Sequence, residues 1–256
     1  MKAIILAGGF GTRITEESKM RPKPMVEIGS KPILWHIMKL FSHYGVNEFI
    51  ICVGYKQHII KEYFASYALY NSNITFDFQS PNPVKIHSNF SEPWKVTIVD
   101  TGINTLTGGR LRLIKPYVED ETFLMTYGDG LADIDINALI KFHFSHGKIC
   151  TLTAARPEGR FGFLDLSENK VMSFREKSKS DVGYINGGFM VMNHRIFDYI
   201  TKNTMLEREP LENLAKDNEL MAYKHEGFWK CMDTVRDKIE LENFWESGNA
   251  PWKVWE

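Results

Sequence analysis

The stretch AIILAGGFGTRITEESKMRPKP, Ala3–Pro24, decides the fold. Its first five residues form an apolar run without alternation, the pattern of a strand buried on both faces. A long loop follows, carrying Gly8, Gly9 and Gly11, then Arg13, and then Lys23 between two prolines. A buried strand that ends in such a loop marks an open α/β sheet, where ligands bind beyond the carboxyl ends of the strands.

The pattern continues outward from there. PILWHIMKLFSHY (Pro32–Tyr44) puts Ile33, Leu34, Ile37, Met38 and Phe41 on one helical stripe, with Gly45 just past its end. EFIICVGY reads as a second buried strand and QHIIKEYFASYAL as a second helix. Strand, helix, strand, helix at this spacing predicts a parallel sheet with right-handed crossovers. From Ile74 to Asp100 the chain changes to short strands, ITFDF, VKIH and KVTIVD, separated by SPNP and SEPW. TLTGGRL then leads a helix to Tyr117, and TFLMTYGDG restores a buried strand. A helix over Asp135–His146, a strand at ICTLTAAR and a hairpin in FGFLDLSENKVMSFREK follow. YINGGFMVMN is a strand holding a glycine pair, and helices near PLENLAKDN and TVRDKIELENFWESG close the chain. With no repeat and no low-complexity linker, one continuous domain over 1–256 is expected.

Composition narrows the function. Hydrophobic residues at 43% and charged residues at 25% allow a full core. A formal net charge of −1 does not suggest a nucleic-acid groove. No apolar run reaches the roughly 18–20 residues a bilayer span needs, and MKAIILAGG is too short for a signal peptide. Cys52, Cys150 and Cys231 are far apart and odd in number, so neither a disulfide framework nor a zinc motif is expected. A soluble cytoplasmic protein fits best.

The opening loop is not a dinucleotide fingerprint. Gly9-Phe10-Gly11-Thr12-Arg13-Ile14 lacks the third small residue, and Pro22 and Pro24 disfavour a helix directly after it. No Gly-Lys-Ser/Thr ends it, so it is no Walker loop. What it offers is backbone N–H groups for an anion and a guanidinium fork at Arg13. The flanking prolines bias the backbone at Lys23 to an extended form, which limits where its ammonium can go.

LAGGFGTR followed by RPKPMVEIGSKPIL resembles the signature of the sugar-1-phosphate nucleotidyltransferases. ICVGYK, EPWKVTIVDTG, TGGRL, TYGDG, GRFG, INGGF, MDT and APWKVWE extend the resemblance over the chain, towards the branch that acts on CTP and glucose 1-phosphate. Ile14 for the usual leucine and Ser178 for the proline after Glu176-Lys177 are departures. The resemblance implies a Rossmann-like three-layer α/β fold with a mostly parallel central sheet and a smaller β-rich region. Residues 1–150 would bind the nucleotide, and 151–256 the sugar phosphate and other subunits. It places Leu6, Ala7, Gly8, Gly9, Phe10, Gly11, Thr12, Arg13, Lys23, Thr105, Arg110 and Asp129 at the nucleotide. Tyr127, Gly128, Glu176, Lys177, Asn186, Gly187 and Gly188 fall at the sugar phosphate. Arg13 and Lys23 would be the catalytic cations. A trimer or hexamer and a product feeding surface-polysaccharide synthesis are also implied.

Nucleotidyl transfer needs its phosphate charge neutralised, commonly by carboxylate-held Mg²⁺. Taken alone, Asp129 reads as a turn former and Asp233 as a cap or pre-cap of the following helix. The resemblance makes these two the metal ligands. Asp135 reads as the cap of the following helix, with Asp133 in a solvated turn. His143 and His146 lack a third zinc ligand. Phe228, Trp229, Phe244, Trp245, Trp252 and Trp255 are expected in core or subunit contacts.

Overall fold

The computed structural model describes residues 1–11, 20–118, 121–156, 163–167, 170–175 and 183–256, with 163–175 as backbone. In chain order, β1 (Lys2–Ala7) is followed by α1 (Ile33–His43), β2 (Glu48–Val53) and α2 (Gln57–Ala65). A hairpin of β3 (Ser72–Phe76) and β4 (Val84–Asn89) precedes β5 (Lys95–Asp100). Next come α3 (Thr107–Leu113), β6 (Phe123–Tyr127), β7 (Gly130–Ala132), α4 (Ile136–His146) and β8 (Cys150–Ala155). A second hairpin, β9 (Phe163–Ser167) and β10 (Lys170–Arg175), leads to β11 (Ile185–Met192). The remainder is α5 (Glu209–Lys216), β12 (Leu220–His225), β13 (Trp229–Cys231) and α6 (Val235–Glu246).

Seven strands form the central sheet in the order β12-β8-β11-β6-β1-β2-β5. β11 runs against both its neighbours, and the other pairings are parallel. The apolar run of β1 serves both faces, as its lack of alternation requires. Ala3, Ile5 and Ala7 pack with Ile33, Ile37 and Phe41 of α1 in one core. Ile4 and Leu6 pack with Leu111 of α3 and Leu211 and Leu214 of α5 in the other. Helices on both faces of one sheet make the three layers.

Two helices stop earlier than their patterns predict. α2 ends at Ala65, and a separate turn spans Tyr67–Tyr70. α3 ends at Leu113 because Pro116, without an N–H, cannot extend its ladder, and Lys115–Val118 forms a turn of its own. The C-terminal aromatics are core, as expected. Trp252 is fully buried, and its indole donates to His36 Nδ1 at 3.3 Å. The His36 Nε2–H donates to the Ile28 carbonyl at 2.8 Å.

Candidate active site

A cleft of about 520 Å³ opens where β1 and β6 end. Leu6, Ala7, Gly8, Gly9, Phe10 and Gly11 line one side, with Lys23, Thr105, Arg110, Tyr127, Gly128, Asp129 and Asp233 around the rest. β1 pairs with β6 up to Leu6 and Tyr127, so the glycine loop and the TYGD turn leave the sheet side by side. The Gly128 N–H donates to the Leu6 carbonyl at 3.0 Å and locks the two turns together.

Asp129 and Asp233 are over a hundred residues apart in sequence and are joined by a short ladder. β7 pairs with β13, Gly130 opposite Cys231, and the Met232 N–H donates to the Asp129 carbonyl at 2.8 Å. Thr234 caps α6 in a capping box with Asp237. The buried Asp237 carboxylate also accepts from the Asp233 N–H at 3.1 Å, which fixes the backbone that carries Asp233. Of the two expected readings, cap or pre-cap, Asp233 takes the second, since Thr234 is the cap.

Both carboxylates converge on Lys23. Its Nζ lies 2.6 Å from Asp129 Oδ2 and 2.7 Å from Asp233 Oδ1. Burial alone would lower the pKa of this ammonium. The charge of Asp129 and the hydrogen bonds to both carboxylates outweigh that and hold it above its ordinary value. The local backbone differs from expectation. Pro22 is extended, but Lys23–Met25 is one 3-10 turn, closed by Met25 N–H to Pro22 O and Val26 N–H to Lys23 O. Two intrachain hydrogen bonds here override the pre-proline bias.

Arg110 lines the cleft from its floor. Its guanidinium donates to the carbonyls of Gly8 (2.9 Å), Val53 (3.2 Å) and Gly102 (2.9 Å) and to the Thr101 hydroxyl (2.6 Å). Those bonds tie the glycine loop to the ends of β2 and β5. Gly8 must lack a side chain, because a Cβ there would sit 2.0 Å from Arg110 Nη1.

Tyr127, expected at the sugar phosphate, lines the cleft. Its hydroxyl donates to Glu207 Oε1. Asn186 Oδ1 accepts from the Gly188 N–H at 2.9 Å. Gly188 has φ +85°, and a Cβ there would lie 2.8 Å from the Tyr127 ring. The Gly187 carbonyl accepts from the Trp229 indole at 2.7 Å. Thr12, Arg13, Glu176 and Lys177 lie outside the described residues.

The Nucleotidyl transferase family matches residues 2–246. The chain belongs to the nucleotidyl transferase family. Glucose-1-phosphate cytidylyltransferase of Salmonella typhi is 57% identical over 258 residues, covering 100% of both chains. "Probable glucose-1-phosphate cytidylyltransferase" of Bacillus subtilis (strain 168) is 48% identical over 257 residues, again with 100% of both chains covered. The structure of a UDP-glucose pyrophosphorylase complexed with UDP-glucose superposes with a TM-score of 0.68 at 17% identity, covering 96% of this chain and 98% of that one. At that identity the likeness shows the fold.

In this nucleotidyl transferase the carboxylate pair fits a hard divalent cation. Ligand atoms of Asp129, Cys231 and Asp233 lie within 4.8 Å of one another. The two carboxylates already share one cation, the Lys23 ammonium, and oxygen donors suit Mg²⁺-like ions. Burial and the neighbouring Asp129 charge push the Cys231 thiol well above its ordinary pKa, so it stays protonated and a poor ligand.

Other candidates have structural roles. Asp135 caps α4, accepting from the Ala138 N–H at 2.9 Å. Asp133 is not merely solvated: it pairs with the buried His225 at 3.0 Å. His143 Nδ1 and His146 Nε2 both meet the Thr151 hydroxyl at 2.8 Å. Sequence reasoning missed Met205 and Glu207. Met205 lines the cleft, and neither residue belongs to a motif the resemblance quoted.

Proposed function

We propose that the protein transfers the cytidylyl group of CTP to glucose 1-phosphate, releasing pyrophosphate and forming CDP-glucose. The observation that carries this reading is full-length identity of 57% to a glucose-1-phosphate cytidylyltransferase. The cleft agrees with it, bringing a glycine loop, a half-buried lysine and two carboxylates to one place.

A sugar-phosphate oxygen attacks the α-phosphorus of CTP in line, and pyrophosphate leaves. The attacking phosphate is already ionised near pH 7, so the chain need supply no general base. Its task is positioning and charge neutralisation. Asp129 and Asp233 would hold Mg²⁺, which neutralises charge on the α-phosphate when bound. Lys23 occupies that position until a metal displaces its ammonium, which would then turn to the reacting phosphates, and the resemblance assigns Arg13 as a further cation. The backbone of Gly8, Gly9 and Gly11 approaches the triphosphate, and Arg110 holds that backbone in register. Thr105 adds a hydroxyl at the nucleotide side. Asn186 and Tyr127 would lie toward the sugar phosphate, and the resemblance assigns Glu176 and Lys177 to it.

In this reading 1–150 carries the nucleotide part and 151–256 the sugar and subunit-contact part. The hairpin β3–β4 exposes Phe76, Val84 and Ile86, apolar surface that packing into a trimer or hexamer would cover. CTP as substrate makes the cytoplasm the compartment.

Mixing the protein and Mg²⁺ with glucose 1-phosphate and CTP, UTP, dTTP or GTP in turn, and measuring pyrophosphate, tests the assignment. CTP should give the highest turnover. Equal or greater turnover with UTP or dTTP would overturn the base assignment.

A further inference from the structure

Glu207 is not among the expected site residues, yet its carboxylate bridges the two halves of the cleft wall. It lies in the segment ahead of α5, where the sequence reads as an ordinary charged surface. Oε1 accepts the Tyr127 hydroxyl, and Oε2 accepts the Thr107 hydroxyl at 2.6 Å. Both donors line the cleft, Tyr127 at the end of β6 and Thr107 at the start of α3. The segment is laced to α3. Thr107 Oγ1 accepts from the Leu206 N–H at 2.8 Å, the Gly108 N–H donates to Thr204 O at 2.9 Å, and the Leu106 N–H donates to Asn203 Oδ1 at 2.9 Å. A Cβ on Gly109 would lie 2.2 Å from Asn203 Oδ1, so no side chain there could admit this contact. The glycines of TGGR therefore let the 203–207 segment close on α3, and the first N–H groups of that helix are already taken.

Hydrogen-bond polarity follows from the carboxylate. An ionised carboxylate only accepts, so both hydroxyls must point their protons at Glu207. Burial and the Glu207 charge also push the Tyr127 phenol above its ordinary pKa and keep it protonated. With its proton committed, the Tyr127 oxygen can only accept on its other side. Asn186 lies beside it, its oxygen held by the N–H of Gly188, the residue whose Cβ would meet the Tyr127 ring.

We propose that Glu207 is a positioning residue that fixes the Tyr127 hydroxyl, so that its oxygen meets the sugar phosphate substrate only as an acceptor. The inference rests on the proposed cytidylyl transfer and adds the residue that orients its sugar side. Glutamine at 207 offers one acceptor and one donor, so one of the two hydroxyls must turn away or lose its partner.

The test compares Glu207→Gln, Tyr127→Phe and the double variant, with KM for each substrate, kcat, calorimetric CTP binding and thermal melting. Glu207→Gln should raise KM for glucose 1-phosphate by about tenfold, the weight of one hydrogen bond, and leave CTP affinity within about twofold. Tyr127→Phe should do the same, and the double variant should be little worse than either single one. An additive double variant, or equal changes in both KM values that track a lowered melting point, would overturn the positioning role. Unchanged KM values would overturn it as well. Absence of pyrophosphate release from the unaltered protein would instead defeat the activity on which the inference rests.

Discussion

Lys23 occupies the position between the two carboxylates that the metal would share, so its removal should separate cation binding from catalysis. Lys23→Met keeps the apolar stem and deletes the charge. The ligand atoms of Asp129 and Asp233 lie within 4.8 Å of each other. Two like unit charges at that separation repel by about 3 kcal/mol at an effective dielectric of about 20. The two side chains are 25% and 26% exposed, and solvent screening reduces this to on the order of 1–2 kcal/mol. A divalent cation entering the variant relieves that repulsion and displaces no ammonium. Mn²⁺ should therefore bind the nucleotide-free variant roughly tenfold more tightly than the unaltered protein, at about 1.4 kcal/mol per decade.

Turnover should move the other way. Loss of one preorganised contact to the reacting phosphates costs at least about a hundredfold. Free Mn²⁺ counted by electron paramagnetic resonance gives the affinity, and pyrophosphate release gives the turnover. Asp129→Asn serves as the control and should weaken Mn²⁺ binding. Unchanged or weaker Mn²⁺ binding by Lys23→Met would refute the claim that ammonium and metal share one position.

Gly8→Ala would place a Cβ 2.0 Å from Arg110 Nη1 and force the guanidinium from its carbonyl partners. CTP affinity should fall about tenfold with a stability loss of about 1–3 kcal/mol, read by calorimetry and urea unfolding, and no change in either would contradict the brace. Acid should destabilise the fold through two histidines: burial holds His36 and His143 each at about 4, against an ordinary 6.5. Both stay neutral in the folded state, so their contribution is complete above pH 6.5 and is lost as pH falls towards 4, each by about 2 kcal/mol between pH 7 and 5. His225 is raised by Asp133 despite its burial and works in the opposite sense, adding stability at low pH that fades as pH rises through its folded pKa. Urea midpoints at pH 7 and 5 should drop less for His36→Gln than for the unaltered protein, and equal drops would discard this account.

The sheet was legible because its signal is local. Strands buried on both faces need unbroken apolar runs, and AIILA, EFIIC and TFLMT supply them within single segments. The glycine loop and Asp129 were legible for a related reason: each follows directly from such a strand and inherits its position at the sheet edge. Asp233 needed the family resemblance, since its partner is over a hundred residues away and its own neighbourhood reads as a helix cap. The pairing of Asp133 with His225 escaped for the same reason. Glu207 is the extreme case. The residues that define it are Tyr127, 80 positions away, and Thr107, 100 positions away. Neither hydroxyl has a sequence pattern that names its acceptor, and a glutamate ahead of a helix carries no hint that it is turned inward. What could have pointed to it is the glycine pair in TGGR. A helix start with no side chains has room for another segment to close on it, and the space beside Gly108 and Gly109 is filled by Asn203 and Thr204, the residues that bring Glu207 to the cleft.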